Sequence, residues 1–406
     1  MRLFVALWLV VCLIGCNTTL NIPVETSSYE NVINEIGKGK TLYVGGTGPN
    51  NYTRIQDAIN DANDGDKIFV YSGIYYETLE IYKGVTIEGE NKDKVIIDGR
   101  GEQRTVFISA NDAQIDKFTI NNGREGIGIE LYKCTNCKIL DCNINDCTHG
   151  ILFNESCSNT VDKCFISENK WHGICLLSSK YNMITNSTFF LNYNAGIYIY
   201  DSSDGNTIFK CHFYNMIWAA VYVWNSENNL VKQCMAHNCP TGFVIGAKNT
   251  TITNCTSYSH RYIGILIYWA NNVKVKSCEL FDNDESGIRI RKGSSNIMVE
   301  DCMIHNNTVG AEILQDSSNI NMADNTIRNN ELGIYVDNSR EDIVITRNNI
   351  YNNGGIGVYA ANNSIVDARY NYWGTILGPI TFGLLGDGIF RQHSTVYFFP
   401  WSFRPY

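Results

Sequence analysis

Along most of the chain a glycine precedes aliphatic residues that alternate with a variable position, and this motif returns every 22 to 24 residues. Copies read Gly126-Ile127-Gly128-Ile129, Gly150-Ile151-Leu152-Phe153, Gly173-Ile174-Cys175-Leu176 and Gly196-Ile197-Tyr198-Ile199. The series continues with Ala220-Val221-Tyr222-Val223, Gly242-Phe243-Val244-Ile245, Gly264-Ile265-Leu266-Ile267 and Gly287-Ile288-Arg289-Ile290, and further copies start at Gly310, Gly333 and Gly355. Alternation with a period of two is a strand signature, because successive side chains leave opposite faces of the backbone. A unit this short cannot bury its own apolar face, so the copies must stack on one another. The pattern therefore predicts an all-β chain, a parallel β-helix with one chain winding through coils of 22–24 residues, roughly fourteen of them by strand count.

Other periods mark the ends. Thr53-Arg54-Ile55-Gln56 fits a capping box and leads Ile55, Ile59 and Ala62 along one face of a short helix ending at Asp64-Gly65. Laid on the first coil, that helix would cover an open strand edge. Irregular first coils follow at Lys67–Tyr71, Leu79–Ile81, Val85–Glu88 and Val95–Ile97, and Asn371-Tyr372-Trp373-Gly374 closes the repeat. The β-helix is thus expected over 41–375, with 376–406 as an aromatic capping segment and 17–40 as a polar tether. Ahead of the tether, Leu3 to Ile14 is an apolar run behind Arg2, too short to span a bilayer and suited to a signal peptide over 1–16. Its end, Leu13-Ile14-Gly15-Cys16, resembles a lipobox, which implies an exported protein, at the cell surface or in the periplasm, anchored by lipid on Cys16. The net charge of −9 argues against a nucleic-acid partner.

Two columns recur inside the coils. An asparagine returns at Asn136, Asn159, Asn182, Asn206, Asn229, Asn249, Asn272, Asn296 and Asn319, continued by Asp342 and Asn363, and reads as one ladder at a turn. The second holds Cys142, Cys164, Cys211, Cys234, Cys255, Cys278 and Cys302, with Ser187, Asn325 and Asn348 in other coils. Exchange of Cys with Ser and Asn points to small, buried, free thiols rather than disulfides or a metal line. Cys134 and Cys137 form a lone CxxC pair, which reads as turn chemistry.

The residues between the inward aliphatics, and those just after each strand, face out. On that face Tyr198, Tyr200, Tyr222 and Trp224 would form an aromatic patch, with Tyr268 beyond it, and such patches stack on sugar rings. Further along stand Arg289 and Arg291 beside Glu312 and Asp337, a charged group able to meet an acidic glycan. Before the repeat glycine, Glu125, His149 and His172 occupy three successive coils, a two-histidine and carboxylate set of the kind that binds metals.

The opening Tyr52-Thr53-Arg54-Ile55-Gln56-Asp57-Ala58-Ile59, the following Gly73-Ile74-Tyr75, the repeat columns and the closing Asn371-Tyr372-Trp373-Gly374 together resemble the right-handed parallel β-helix superfamily of pectin-lyase type. The nearest subgroup is the NosD-like, carbohydrate-binding and sugar-hydrolase repeat proteins. The resemblance covers about residues 41–375 and implies a right-handed fold. For function it implies several classes: polysaccharide or envelope-glycan binding, a lyase or glycoside hydrolase on an acidic glycan, a structural surface protein or adhesin, or a NosD-like periplasmic copper-accessory protein. The paired aspartates of pectin-cleaving hydrolases have no counterpart on the outward columns. A lyase would be approximated by Arg289 or Arg291 with Glu312 and Asp337, with calcium as its cofactor, and a copper role would draw on His149 and His172. Glycan binding through Tyr198, Tyr200, Tyr222, Trp224 and Tyr268 is the leading expectation, with no cofactor required by the sequence.

Overall fold

A computed structural model of the chain describes residues 39–123, 125–339, 341–379 and 386–406; the signal segment, Cys16 and nearly all of the tether lie outside these residues. From Lys40 onward the chain winds as a parallel β-solenoid of about fourteen turns. Strands of successive turns pair in parallel, forming one network of 30 strands that comprises two rows, and a third row of 13. The first row holds the glycine–aliphatic strands, from Leu79–Ile81 to Gly388–Gln392. The second runs from Thr41–Val44 to Thr395–Tyr397, and the third from Gly73–Tyr75 to Asn349–Tyr351. Both strands after Gly386 pair with the preceding turn, so the rows continue past residue 375.

Inward aliphatics stack in files: Ile129, Ile151, Ile174, Ile197, Val221, Phe243, Ile265 and Ile288 are all fully buried. Each such side chain contributes about 1.5–3 kcal/mol. The glycine column has a steric origin. A Cβ at Gly150 would sit 2.6 Å from the carbonyl oxygen of Gly173, and one at Gly310 would sit 2.5 Å from that of Gly333.

Register corrects the column at both ends. Leu152 pairs with Glu130, so the first copy in line starts at Gly128 rather than Gly126. At the far end Gly333 meets Gly357 rather than Gly355. Both sites read Gly-Ile-Gly-aliphatic, and a slip of two residues preserves which side chains point inward, so alternation alone cannot choose.

The asparagine column is two adjacent columns. Asn159, Asn182, Asn206 and Asn229 are buried, each Oδ1 accepting the backbone N–H of the turn before: Cys137 N–H to Asn159 at 2.8 Å, Asn159 N–H to Asn182 at 2.9 Å. Asn136, Asn249, Asn272, Asn296, Asn319, Asp342 and Asn363 instead take the left-handed corner one residue earlier, with φ between 49° and 61°. Asparagine serves both places, as a polar acceptor inside and as a residue tolerant of positive φ outside.

The thiols are free, as the mixed Cys/Ser/Asn column indicates; every cysteine among the described residues is unpaired. Cys164, Cys211 and Cys255 each donate S–H to a carbonyl one turn back, at 3.6 Å. Asn325 does the same with an amide, 2.9 Å from Val299 O, and adds a bond to Asn348. At the N-terminal end the helix is Ile55–Asp61, and it packs on the first strands. The capping box does not form. The helix begins after Arg54, and Glu77 of the next turn accepts the Ile55 and Gln56 N–H groups at 2.9 and 3.2 Å.

Candidate functional site

Register places the aromatic residues of the first row side by side. Tyr198 pairs with Tyr222, and Leu177 with Tyr200 on the same strand as Tyr198. Ring centroids lie 5.4 Å apart for Tyr198–Tyr200 and 5.0 Å for Tyr198–Tyr222, both stacked. The next turn carries Val244 and Gly246 in these columns, and the aromatics close over them. The Tyr222 hydroxyl bonds that of Tyr268 across the gap. Beneath, Ala219, Val244, Ile263 and Leu266 form a small outward-facing apolar cluster covered by Trp218, Tyr222 and Tyr268. Burial, then this hydroxyl contact, pushes the Tyr222 phenol well up, and burial raises Tyr198 to about 12. These phenols stay protonated at neutral pH. Tyr198 and Tyr222 are half-buried and act mainly as packing, whereas Tyr200 is exposed.

Beside them stand two indoles, the half-buried Trp224 and the exposed Trp269. Trp224 lies on the backbone of Gly246 and stacks on Tyr268 at 5.5 Å, and Trp269 meets it edge-on at 5.9 Å. Trp269 stands at a left-handed corner, φ 50°, occupied in other turns by Ser178, Asp201, Asn225, Lys292 and Asn338. A bulky aromatic at positive φ is an outlier, and this one is 58% exposed. A strained, exposed tryptophan gains little from packing and points to a role in binding. Beside the two indoles opens a groove of about 310 Å³, lined by both and also by Ser202, Asp204, Asn225, Glu227 and Lys248. Asp204 pairs with Lys180 at 2.7 Å and accepts the Glu227 N–H at 2.8 Å, and Glu227 lies 3.5 Å from Lys248. Sequence alternation found Trp224 but not Trp269, because Trp269 sits one residue beyond the strand, where alternation assigns no face.

Of the four charged candidates Arg289 and Glu312 meet, whereas Arg291 and Asp337 stand apart from each other. Arg289 is held by Glu285 at 2.9 Å and by Glu312, which also accepts the Ser286 hydroxyl at 2.8 Å. Arg291 is in register with Tyr268, whereas Asp337 pairs with Leu314 and accepts the Asn362 amide at 2.6 Å. Leu314 lies between Arg291 and Asp337, which puts the two about 10 Å apart at ~4.8 Å per strand. Nor do Glu125, His149 and His172 form one column. Gly128 is the aligned glycine, so Ile127 takes the place expected of Glu125, and Glu125 lies against Gly101. His149 and His172 do stack, centroids 5.4 Å apart, and His172 stacks on Tyr198 at 4.7 Å. Burial lowers His149 to about 4 and His172 to about 3, so both are neutral at pH 7. Among the described residues no three His, Cys, Asp or Glu side chains gather as a metal-binding group.

A second aromatic file, absent from the sequence reading, runs outside the third row. Phe190, Tyr214, His237, Tyr258, Phe281 and His305 stack continuously at 4.8 to 5.6 Å. Their faces cover one another, so the file presents edges and acts as a cross-strand brace.

Comparison with known proteins agrees with this architecture. The family model described as a right handed beta helix region matches residues 104–250, 204–341 and 243–372. A cell surface glycoprotein of Methanothermus fervidus is 30% identical over 222 residues, which span 47% of this chain and 34% of that protein. The chain thus matches about a third of that relative's length. The N-terminal fragment of bacteriophage Phi29 gene product 12 superposes with a TM-score of 0.64 at 15% identity, over 84% of this chain and 72% of that one. The catalytic domain of a GH87 α-1,3-glucanase, solved with nigerose, gives a TM-score of 0.51 at 14% identity, over 71% and 65%. At these identities both solved structures speak to the fold.

Proposed function

The chain belongs to the right-handed β-helix family, and from that premise we propose that it is a cell-surface protein that holds a glycan in the groove walled by Trp224 and Trp269. The observation that carries this reading is Trp269: exposed, left-handed, and set beside a second indole in a groove whose other walls are hydroxyl, amide and carboxylate groups. Indole faces take the apolar C–H face of a sugar ring, and the polar rim takes its hydroxyls. A surface location is supported by the surface glycoprotein it resembles, and export with lipid attachment at Cys16 rests on the Leu13-Ile14-Gly15-Cys16 sequence. That this fold accommodates saccharides is supported by the glucanase domain solved with nigerose.

The test is binding of the purified chain to a panel of immobilised polysaccharides, beside Trp224→Ala and Trp269→Ala. Each substitution is expected to weaken the best wild-type ligand by at least about tenfold, in line with the ~1.4 kcal/mol that stacking aromatics contribute. Wild-type binding that both variants retain unchanged would move the site elsewhere on the solenoid.

A further inference from the structure

Next to the groove, one cluster of charges is left unbalanced. Arg289 has two carboxylate partners, Glu285 and Glu312, and its Nη2 donates to the Ser286 hydroxyl at 3.1 Å. Two residues on, Arg291 and Lys292 have no carboxylate within ion-pairing distance among the described residues, unlike the neighbouring Lys248, Lys274 and Lys276. The Nε of Arg291 is buried with no acceptor. Buried donors without partners are rare, and each calls for an explanation. Lys292 places its ammonium 4.2 Å from the ring centroid of Trp269 and 5.8 Å from that of Tyr268, the residue in register with Arg291. Both cations therefore adjoin the aromatic wall. The acidic groups lining the groove do not oppose them, because Asp204 and Glu227 are engaged by Lys180 and Lys248.

We propose that the glycan is anionic, and that Arg291 and Lys292 receive a carboxylate or sulfate on the sugar lying against Trp269. This rests on the glycan-binding reading above and adds its substrate class. A guanidinium fork matches the paired oxygens of either group, and the ammonium adds a point charge beside it.

Three oligosaccharides of equal length, one neutral, one of uronic acids and one sulfated, are titrated into the wild type, Arg291→Gln, Lys292→Gln and Trp269→Ala, at low and high salt. The wild type should bind one or both anionic oligomers at least about tenfold more tightly than the neutral one, with a margin that shrinks in salt. Arg291→Gln should remove most of that margin and leave neutral binding unchanged, whereas Trp269→Ala should weaken all binding. Lys292 is at a surface corner, so Lys292→Gln reads the same effect should Arg291→Gln misfold. The arm that binds best distinguishes carboxylate from sulfate. Binding without charge preference, or a preference that survives both glutamine variants, overturns the anionic assignment and leaves the glycan reading standing. Failure of every oligomer to bind overturns both.

Discussion

At Gly246 the missing side chain lets the Trp224 indole lie flat on the neighbouring strand. A Cβ there would stand 2.2 Å from Cε3 and 2.5 Å from Cζ3 of Trp224. The backbone at Gly246 would accept an alanine, so Gly246→Ala acts on the ring: the indole must turn off the strand and partly close the groove. The expected result is a roughly tenfold loss of glycan affinity with a melting temperature within a few degrees of wild type, since one half-buried surface ring moves and the core does not. Calorimetric titration beside thermal melting checks it; unchanged affinity would mean that the Trp224 face does not touch ligand. The same residues show what could be read in advance. Tyr198, Tyr222 and Trp224 were legible as outward-facing because strands alternate. Trp269 was not, because its face is set by a left-handed φ that no periodicity reports, and the burial of Tyr222 came from its pairing with Tyr268 two turns away.

Across elements, the solenoid is held by files of identical groups, and its polar files carry as much information as its aliphatic ones. Along the turn before the first row, Asn283, Asn307, Asn330 and Asn353 form a buried ladder that ends on Asp387. Asn330 accepts the Asn307 N–H at 2.9 Å and donates to the carbonyl oxygens of Ile304 and Arg328, at 3.2 and 3.1 Å. Asn330→Leu removes that acceptor while keeping the volume, stranding a buried N–H at a cost of about 1–3 kcal/mol. The Asn307 amide should then lose hydrogen-exchange protection by a factor of ten or more. Asn296→Gly, at an exposed left-handed corner, should leave protection and stability nearly unchanged. If both behave alike, the buried ladder does no more than the exposed corner. The repeat interval and the inward aliphatics were plain in the sequence. The split column was not, because one residue type suits both positions and the two lie one residue apart. The register slip at Gly128 and Gly357 was hidden for a related reason, since a shift of two leaves the in-and-out pattern intact.

Over the whole molecule, burial of imidazoles ties stability to pH. His149 and His172 stack beneath the aromatic face, and His260 fills a ladder position, its Nδ1 accepting the Cys239 N–H at 3.2 Å where the following turns use asparagine. Burial lowers His149 and His260 to about 4 and His172 to about 3, from an ordinary 6.5. Between roughly pH 6.5 and pH 4 the unfolded chain binds protons at these sites that the folded chain does not, so folding stability must fall as pH falls through that window. Above 6.5 all three are neutral in both states and contribute no slope. The buried Asp387 carboxyl, raised by its burial, works in the opposite sense at the acid end. The melting temperature should therefore hold steady from pH 8 to 7 and drop progressively from pH 6 to 4.5. His260→Asn keeps an acceptor for Cys239 and removes one of the three most strongly lowered rings; burial lowers His212 and His237 as well, so the drop should shrink by less than about a third. An undiminished slope in His260→Asn would show that this imidazole takes up its proton at the same pH in the folded and unfolded chains, so that its burial contributes nothing to the pH dependence.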